Sequence, residues 1–175
     1  MIASLNAEGM MGVVMPHGVL FRGSSEKAIR QGILNDDLLE AVVGLPAALF
    51  YGTGIPAAVL VFRKDRTDNN VLFIDASREF TPGKKQNLLE DAHIEKIVRT
   101  YRERAEVERY SHRAVREEIA ENGYNLNIPR YVDTFEPEEE IDVAAVQKDI
   151  LRIEAELAEV RAKMAGYLRE LGVDA

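Results

Sequence analysis

Two adjacent aromatic residues, Phe50 and Tyr51, stand beside two glycines in the segment ALFYGTGIPAAVLVF, residues 48–62. The second half of this segment is an apolar run typical of a buried strand, so the rings come just before a strand and beside a turn. A flat ring at such a place can stack on a planar ligand, for example a nucleobase drawn out of a duplex. The alternative is that both rings pack beneath the loop, and spacing alone leaves both interpretations open.

A second candidate is His17, which follows Pro16 at the carboxyl end of another apolar run. Ligands of open α/β sheets bind outside the carboxyl ends of the strands, so His17 is placed to line a site. The alternative is a loop histidine without a chemical role.

The common short motifs of enzymes are missing. The sequence contains no G-x-G-x-x-G, no P-loop, no H-E-x-x-H and no G-x-S-x-G. It has no cysteine and three histidines far apart, which excludes disulfides and thiolate metal sites. Arginines between residues 99 and 116 alternate with glutamates, which favours a solvated ion-paired face over a DNA-binding patch. We therefore name no catalytic residue and expect no metal site.

The charge balance limits the partners that this chain can hold by itself. Thirty acidic residues against 22 basic ones give a net charge of −8, whereas non-specific DNA binding depends on neutralising phosphates with Lys and Arg. If DNA is involved, most of the positive surface must come from elsewhere. No apolar run reaches the roughly 20 residues of a membrane helix, and residues 1–7 do not resemble a signal peptide, so we expect a cytoplasmic protein without membrane contact.

The elements that must position these residues can be predicted from periodicity. Apolar runs predict strands over residues 12–15, 38–45, 55–62 and 71–74, and helical patterns cover residues 26–34, 90–104 and 114–122. Residues 1–6 resemble the last turns of a helix. The initial strand–helix–strand order predicts that the first two strands form a parallel pair. The third and fourth strands are reached through loops, which favours antiparallel pairing.

The last segment has the most regular pattern in the sequence. Apolar side chains recur four and three residues apart, at Val146, Ile150, Ile153, Leu157, Val160, Met164, Tyr167 and Leu171. This repeat predicts a coiled-coil seam on a helix over residues 143–171, roughly 43 Å long. A helix packed on its own domain is the alternative, but the length of the repeat favours docking on a partner.

Four ordered stretches carry a family resemblance: GVVMPHGVLFR, LLEAVVGLPAALFYGTGIPAAVLVFRKD, VLFIDAS and YNLNIPRYV. Together they resemble the C-terminal portion of the modification (methyltransferase) subunit of type I restriction–modification systems, over residues 1–171. The resemblance implies an α/β fold, namely the C-terminal part of a Rossmann-like methyltransferase sheet with strands five to seven in mixed orientation, then helices and a long C-terminal helix. Residues 1–135 would belong to the adenine-N6 catalytic domain, and residues 136–175 to an acidic linker and the long helix.

The same resemblance implies a chemistry and a site. The family binds S-adenosylmethionine through a glycine-containing loop and holds a flipped adenine with an Asn-Pro-Pro-Phe motif, and this sequence contains neither. We therefore expect no cofactor binding and no activity from this chain alone. Related adenine methyltransferases stack the flipped base on an aromatic ring before the seventh strand, which corresponds to Phe50 with Tyr51 beside it. Pro16, His17 and Gly18 would line the same cleft.

Partners are also implied. In this family a specificity subunit reads the DNA and joins two modification subunits, a restriction subunit completes the complex, and DNA is bound only within the assembly. The C-terminal helix resembles the one that packs on the specificity subunit. The asparagines of YNLNIPRYV would hold an irregular loop against the fold, with DNA contact by Asn125 or Asn127 as the alternative.

Two other interpretations of the whole chain remain open. One is a non-catalytic module that docks on the specificity subunit, and the other is a degenerate reading frame without a role. If the first strand has lost its neighbour, its free edge should make the isolated chain associate or dissolve poorly.

Overall fold

A computed structural model describes residues 1–134 and 143–170. The chain divides into two compact units, Met1–Phe135 and Glu136–Ala175. Within the described part, the first unit holds five strands and three α-helices. The strands are β1 (Met10–Pro16), β2 (Leu39–Gly44), β3 (Ala57–Arg63), β4 (Val71–Asp75) and β5 (Ser111–Ala114), and the helices are α1 (Ser24–Asn35), α2 (Asp91–Glu103) and α3 (Arg116–Glu121).

The strands form one mixed sheet in the order β1–β3–β2–β4–β5. Strand β3 is antiparallel to both β1 and β2, β4 is parallel to β2, and β5 is antiparallel to β4. The predicted parallel pairing of the first two strands is wrong. Both run in the same direction, but the chain turns back after β2 and inserts β3 between them. Antiparallel pairing is confirmed for β3 and wrong for β4, which pairs in parallel with β2.

Side chains of the central strands alternate between two hydrophobic cores, as the period of two in a strand requires. Val42 and Phe73 belong to the core that includes Leu34 of α1 and Ile119 of α3. The second core includes Ala41, Val43, Leu72 and Ile74, with Ile97 and Tyr101 of α2 packed against it. The sheet thus lies between α1 and α3 on one face and α2 on the other, which confirms the predicted α/β class with a mixed sheet.

Two local predictions are wrong. Residues Ile2–Ser4 form a single 3-10 turn instead of the end of an α-helix. The helix predicted from residue 114 begins later, at Arg116, because Ser111–Ala114 pairs with β4 as strand β5. The sequence SHRA has no apolar alternation, so only its pairing with a neighbouring strand makes it β-structure.

The second unit contains the helix α4, Val143–Glu170, which is 28 residues and therefore about 42 Å long. This confirms the long C-terminal helix. The seam positions that the structure describes are all about half exposed or more; they are Val146, Ile150, Ile153, Leu157, Val160, Met164 and Tyr167. Leu171 lies outside the described residues. None of the helices described is both long enough and apolar enough to span a membrane.

Candidate functional site

An apolar cleft of about 250 Å³ lies at the edge of the sheet where β1 ends and β3 begins. Pro16 stands opposite Ala57 in the antiparallel pair of these strands, so the last residue of β1 meets the first residue of β3. The cleft is lined by Val14, Met15, Pro16, Phe50, Thr53, Ile55, Pro56 and Ala57. The structure therefore brings Phe50 and Pro16, two residues predicted from the sequence, to one cleft.

The two aromatic side chains of the loop before β3 differ in their surroundings. Phe50 is 45% exposed and lines the cleft, whereas Tyr51 is 86% exposed and is not among its lining residues. Gly52 has a φ of +77°, a backbone conformation that glycine adopts without strain and that turns the chain towards β3. Neither ring is buried beneath the loop, and both are accessible from solvent.

His17 and Gly18 are next to the cleft but do not line it. They begin the 3-10 turn His17–Leu20, and both are half-buried. The His17 Nε2 atom lies 3.0 Å from the carbonyl oxygen of Ala57. Because a carbonyl only accepts hydrogen bonds, Nε2–H is the donor, and the imidazole joins the end of β1 to the start of β3. In this structure His17 thus holds the cleft wall in place.

The YNLNIPRYV segment packs directly behind this turn. The Leu126 backbone N–H donates to the Leu20 carbonyl at 2.9 Å, and the Ile128 side chain lies over Gly44 at the end of β2. A Cβ atom on Gly44 would stand only 2.6 Å from Ile128 Cδ1, so glycine permits this approach. Asn125 Oδ1 accepts a hydrogen bond from the Asn127 backbone N–H at 2.9 Å. This bond supports the interpretation that Asn125 stabilises an irregular loop.

Arg30 of α1 is a supporting residue that the sequence does not predict. It is only 7% exposed, and its guanidinium donates to the carbonyls of Val19 at 2.9 Å and Tyr124 at 3.1 Å. Burial lowers the pKa of Arg30, and the nearby Glu26 opposes this shift. The guanidinium links the turn after β1 to the YNLNIPRYV segment. No sequence signal distinguishes Arg30 from the solvated arginines of other helices.

Residues 1–140 match the N-6 DNA Methylase family. The chain belongs to the N-6 DNA methylase family. Relatives among curated N-6 DNA methylases include the type I restriction enzyme MjaVIII methylase subunit of Methanocaldococcus jannaschii, 38% identical over 170 residues, and the MpnII methylase subunit of Mycoplasma pneumoniae, 32% identical over 171 residues. These alignments cover 94% and 97% of this chain but only 29% and 32% of the relatives.

Solved structures of N-6 DNA methylases share the fold. The methyltransferase subunit of a type I restriction–modification system from Streptococcus thermophilus is 53% identical, with a TM-score of 0.70 over 71% of this chain and 27% of that one. The EcoKI M protein is 24% identical, with a TM-score of 0.65 over 99% of this chain and 43% of that one, and so supports the fold alone. These matches confirm the resemblance to type I methylase subunits. The chain spans about a third of the length of the curated relatives named above.

The methyl donor that the family implies is S-adenosylmethionine. A groove of about 570 Å³ lies between β1 and α1, and its lining is almost entirely apolar apart from Glu26 and Arg30. The guanidinium of Arg30 is already bonded to the carbonyls of Val19 and Tyr124. We assign no donor-binding residue in the described part of the chain, and no step is derived through the donor. Within the same described residues, no cluster of three or more His, Asp or Glu side chains is arranged to hold a metal ion.

Proposed function

We propose that this chain is the C-terminal part of the modification subunit of a type I restriction–modification system and contributes to S-adenosylmethionine-dependent methylation of adenine N6 in DNA. The observation that supports this function best is the half-exposed Phe50 in an apolar cleft of an N-6 DNA methylase. In the proposal the ring of Phe50 stacks on the flipped adenine, and Tyr51 is its exposed neighbour. Pro16 forms part of the wall on the β1 side, and His17 and Gly18 support it from the turn that follows.

The cleft has the chemistry that stacking requires. Its lining is nearly all apolar, so a base that enters leaves water and contacts Phe50 together with Val14 and Pro16. Stacking of a base on an aromatic side chain is worth about 1–3 kcal/mol. The cleft itself supplies no charged or acidic group, so in this proposal it holds the base while other parts of the enzyme carry out methyl transfer.

The test of this role is Phe50→Ala in the complete modification subunit with its specificity partner. Loss of about 1–3 kcal/mol predicts that methylation of target DNA at subsaturating concentration falls by roughly 5- to 150-fold. Phe21→Ala is the matched control, because Phe21 is similarly exposed, at 47%, and lies outside the cleft. Methylation that is unchanged by Phe50→Ala, with both variants folded by circular dichroism, would show that the stacking assignment is wrong.

The proposal also predicts what the 175-residue chain does alone. Because the sequence contains neither the glycine-containing cofactor loop nor the Asn-Pro-Pro-Phe motif of the family, titration with S-adenosylmethionine should give no heat of binding in calorimetry. A dissociation constant in the micromolar range would contradict this expectation.

A second candidate function is docking on the specificity subunit without catalysis, and the exposed seam of α4 favours it. Seven apolar side chains in a 3.5-residue repeat are suited to a partner helix, and each is 46% exposed or more. The expected assembly contains the specificity subunit, a second modification subunit and, in the full complex, the restriction subunit. DNA would be bound only in this assembly.

The docking candidate is tested by affinity capture on the specificity subunit. A chain that ends at residue 140 should lose binding. In the full chain, Leu157→Arg on the seam should weaken capture, whereas Ala155→Arg, two residues away on the opposite side of the helix, should not. Equal capture of all three variants would exclude α4 as the docking element, and capture without any effect of Phe50→Ala on methylation would favour docking over stacking.

A further inference from the structure

The loop between β2 and β3, residues 45–56, carries Phe50 and Tyr51 and is called the aromatic loop. A second loop lies against it and carries two lysines. Lys84 and Lys85 are both exposed, and neither makes a hydrogen bond or an ion pair within residues 1–134. Many other cationic side chains of the first unit form ion pairs with carboxylates. These pairs are Arg63–Glu40, Arg66–Asp68, Arg104–Asp68 and Arg116–Asp37. Two adjacent, unpaired cations are therefore a distinct feature of a chain whose net charge is −8.

The lysine loop, residues 81–88, has a defined conformation. Thr81 and Leu88 exchange two backbone hydrogen bonds, at 2.9 and 3.0 Å, which close the loop at its base. A Cβ atom on Gly83 would stand 2.2 Å from the Gln86 carbonyl oxygen, so the tight course of the chain depends on glycine there. The two lysines follow directly after this glycine, so the loop presents them at its tip.

Asn87 fastens the lysine loop to the aromatic loop. Its backbone N–H donates to the Ala48 carbonyl and its side-chain amide donates to the Ala47 carbonyl, both at 2.9 Å. Phe50 follows Ala48 by two residues and Lys85 precedes Asn87 by two. At no more than about 3.6 Å per residue, and with about 5.5 Å between hydrogen-bonded residues, the Cα atoms of Phe50 and Lys85 are at most about 20 Å apart.

We propose that Lys84 and Lys85 bind the phosphodiester backbone of the DNA strand whose base stacks on Phe50. Single-stranded nucleic acid is typically held by aromatic rings that stack on bases beside cations that contact phosphates, and the two fastened loops provide this combination. A distance of about 20 Å corresponds to about six nucleotides at 3.4 Å per nucleotide, so phosphates that flank the stacked base are within reach. This inference rests on the proposed function and extends it to a second contact with the same ligand.

The experiment measures the salt dependence of DNA binding by the complete modification subunit assembled with its specificity partner. The probe is a fluorescein-labelled duplex of about 30 base pairs and arbitrary sequence, titrated between about 50 and 200 mM salt, because the phosphate contribution does not depend on sequence. Each phosphate contact contributes about 0.9 to the slope of log K against log salt. The double variant Lys84→Gln/Lys85→Gln should therefore reduce the slope by about 1.8.

Two matched variants make the result specific. Lys27→Gln/Arg102→Gln removes the same charge from exposed residues of α1 and α2 and should leave the slope unchanged. Lys84→Arg/Lys85→Arg keeps the charge and should retain the original slope. The inference is overturned if the glutamine variant keeps the original slope, or if the control lowers it equally. If that happens while Phe50→Ala still lowers methylation, only the lysine assignment fails; if Phe50→Ala also has no effect, the proposed function fails.

Discussion

The contact between Gly44 and Ile128 allows a quantitative test of how the YNLNIPRYV segment is held against the sheet. The perturbation is Gly44→Ala, which adds a Cβ atom 2.6 Å from Ile128 Cδ1. Carbon atoms in favourable contact are about 3.5–4.0 Å apart, so Ile128 must withdraw by about 1 Å. Ile128 is only 2% exposed and packed in the core, so the withdrawal disturbs its neighbours.

The expected magnitude combines two opposing effects. Overpacking of a core usually destabilises a protein by about 1–3 kcal/mol, whereas alanine in a strand is more favourable than glycine by about 0.5–1 kcal/mol. We therefore expect Gly44→Ala to lower the free energy of unfolding by about 1 kcal/mol. Ile128→Val deletes Cδ1, the contacting atom, and should cost about 1 kcal/mol by itself. In the double variant the clash is gone, so the total loss should be about 0.5 kcal/mol rather than 2, which is a coupling of about 1.5 kcal/mol.

The assay is urea unfolding of the full chain, followed by far-ultraviolet circular dichroism at two protein concentrations, for the four members of this cycle. Gly12→Ala is the matched control, because Gly12 also lies in a strand but its added Cβ would meet only Val59 Cγ1, at 4.0 Å. This control should be neutral or slightly stabilising. The reasoning is refuted if Gly44→Ala is no more destabilising than Gly12→Ala, or if the two changes in the cycle are additive within about 0.5 kcal/mol.

Three further predictions concern other parts of the first unit. Burial raises the pKa of Tyr110 to about 12, so stability should be unaffected below about pH 10 and fall as the pH rises towards 12; Tyr110→Phe should make this fall smaller in urea titrations at about pH 9 and about pH 11. Glu40 accepts hydrogen bonds from Tyr101 at 2.7 Å and Arg63 at 3.1 Å, so Glu40→Gln should lower the free energy of unfolding by about 2 kcal/mol, and an unchanged urea midpoint would contradict this. Strand β1 is an edge of the sheet with Val14 half exposed, so the isolated chain should associate in sedimentation velocity and Val14→Lys should reduce association; a monomeric unaltered chain would refute the expectation.

The candidate site was only partly predictable from the sequence. The pair Phe50–Tyr51 is conspicuous because two large rings stand beside glycines before an apolar run, and the structure does place Phe50 in a cleft. Arg30 carries no comparable signal, since its burial results from two carbonyls that approach it from the turn after β1 and from Tyr124. The same holds for Asn87, whose bonds to the aromatic loop join segments 40 residues apart.

The sequence alone determined the features that depend on neighbouring residues. The long helix α4 follows from apolar side chains that recur every three or four residues along its whole length. The strands β1 to β4 follow from apolar runs bounded by glycine, proline and polar turns. The tertiary structure alone decided which strands become neighbours: β3 lies between β1 and β2, and β5 is a strand only because it pairs with β4. The physical reason is the separation along the chain over which each effect acts. Helical and strand periodicity reflects the geometry of a few consecutive residues, whereas pairing and the burial of polar groups depend on which arrangement of distant segments covers the most apolar surface while satisfying their hydrogen bonds.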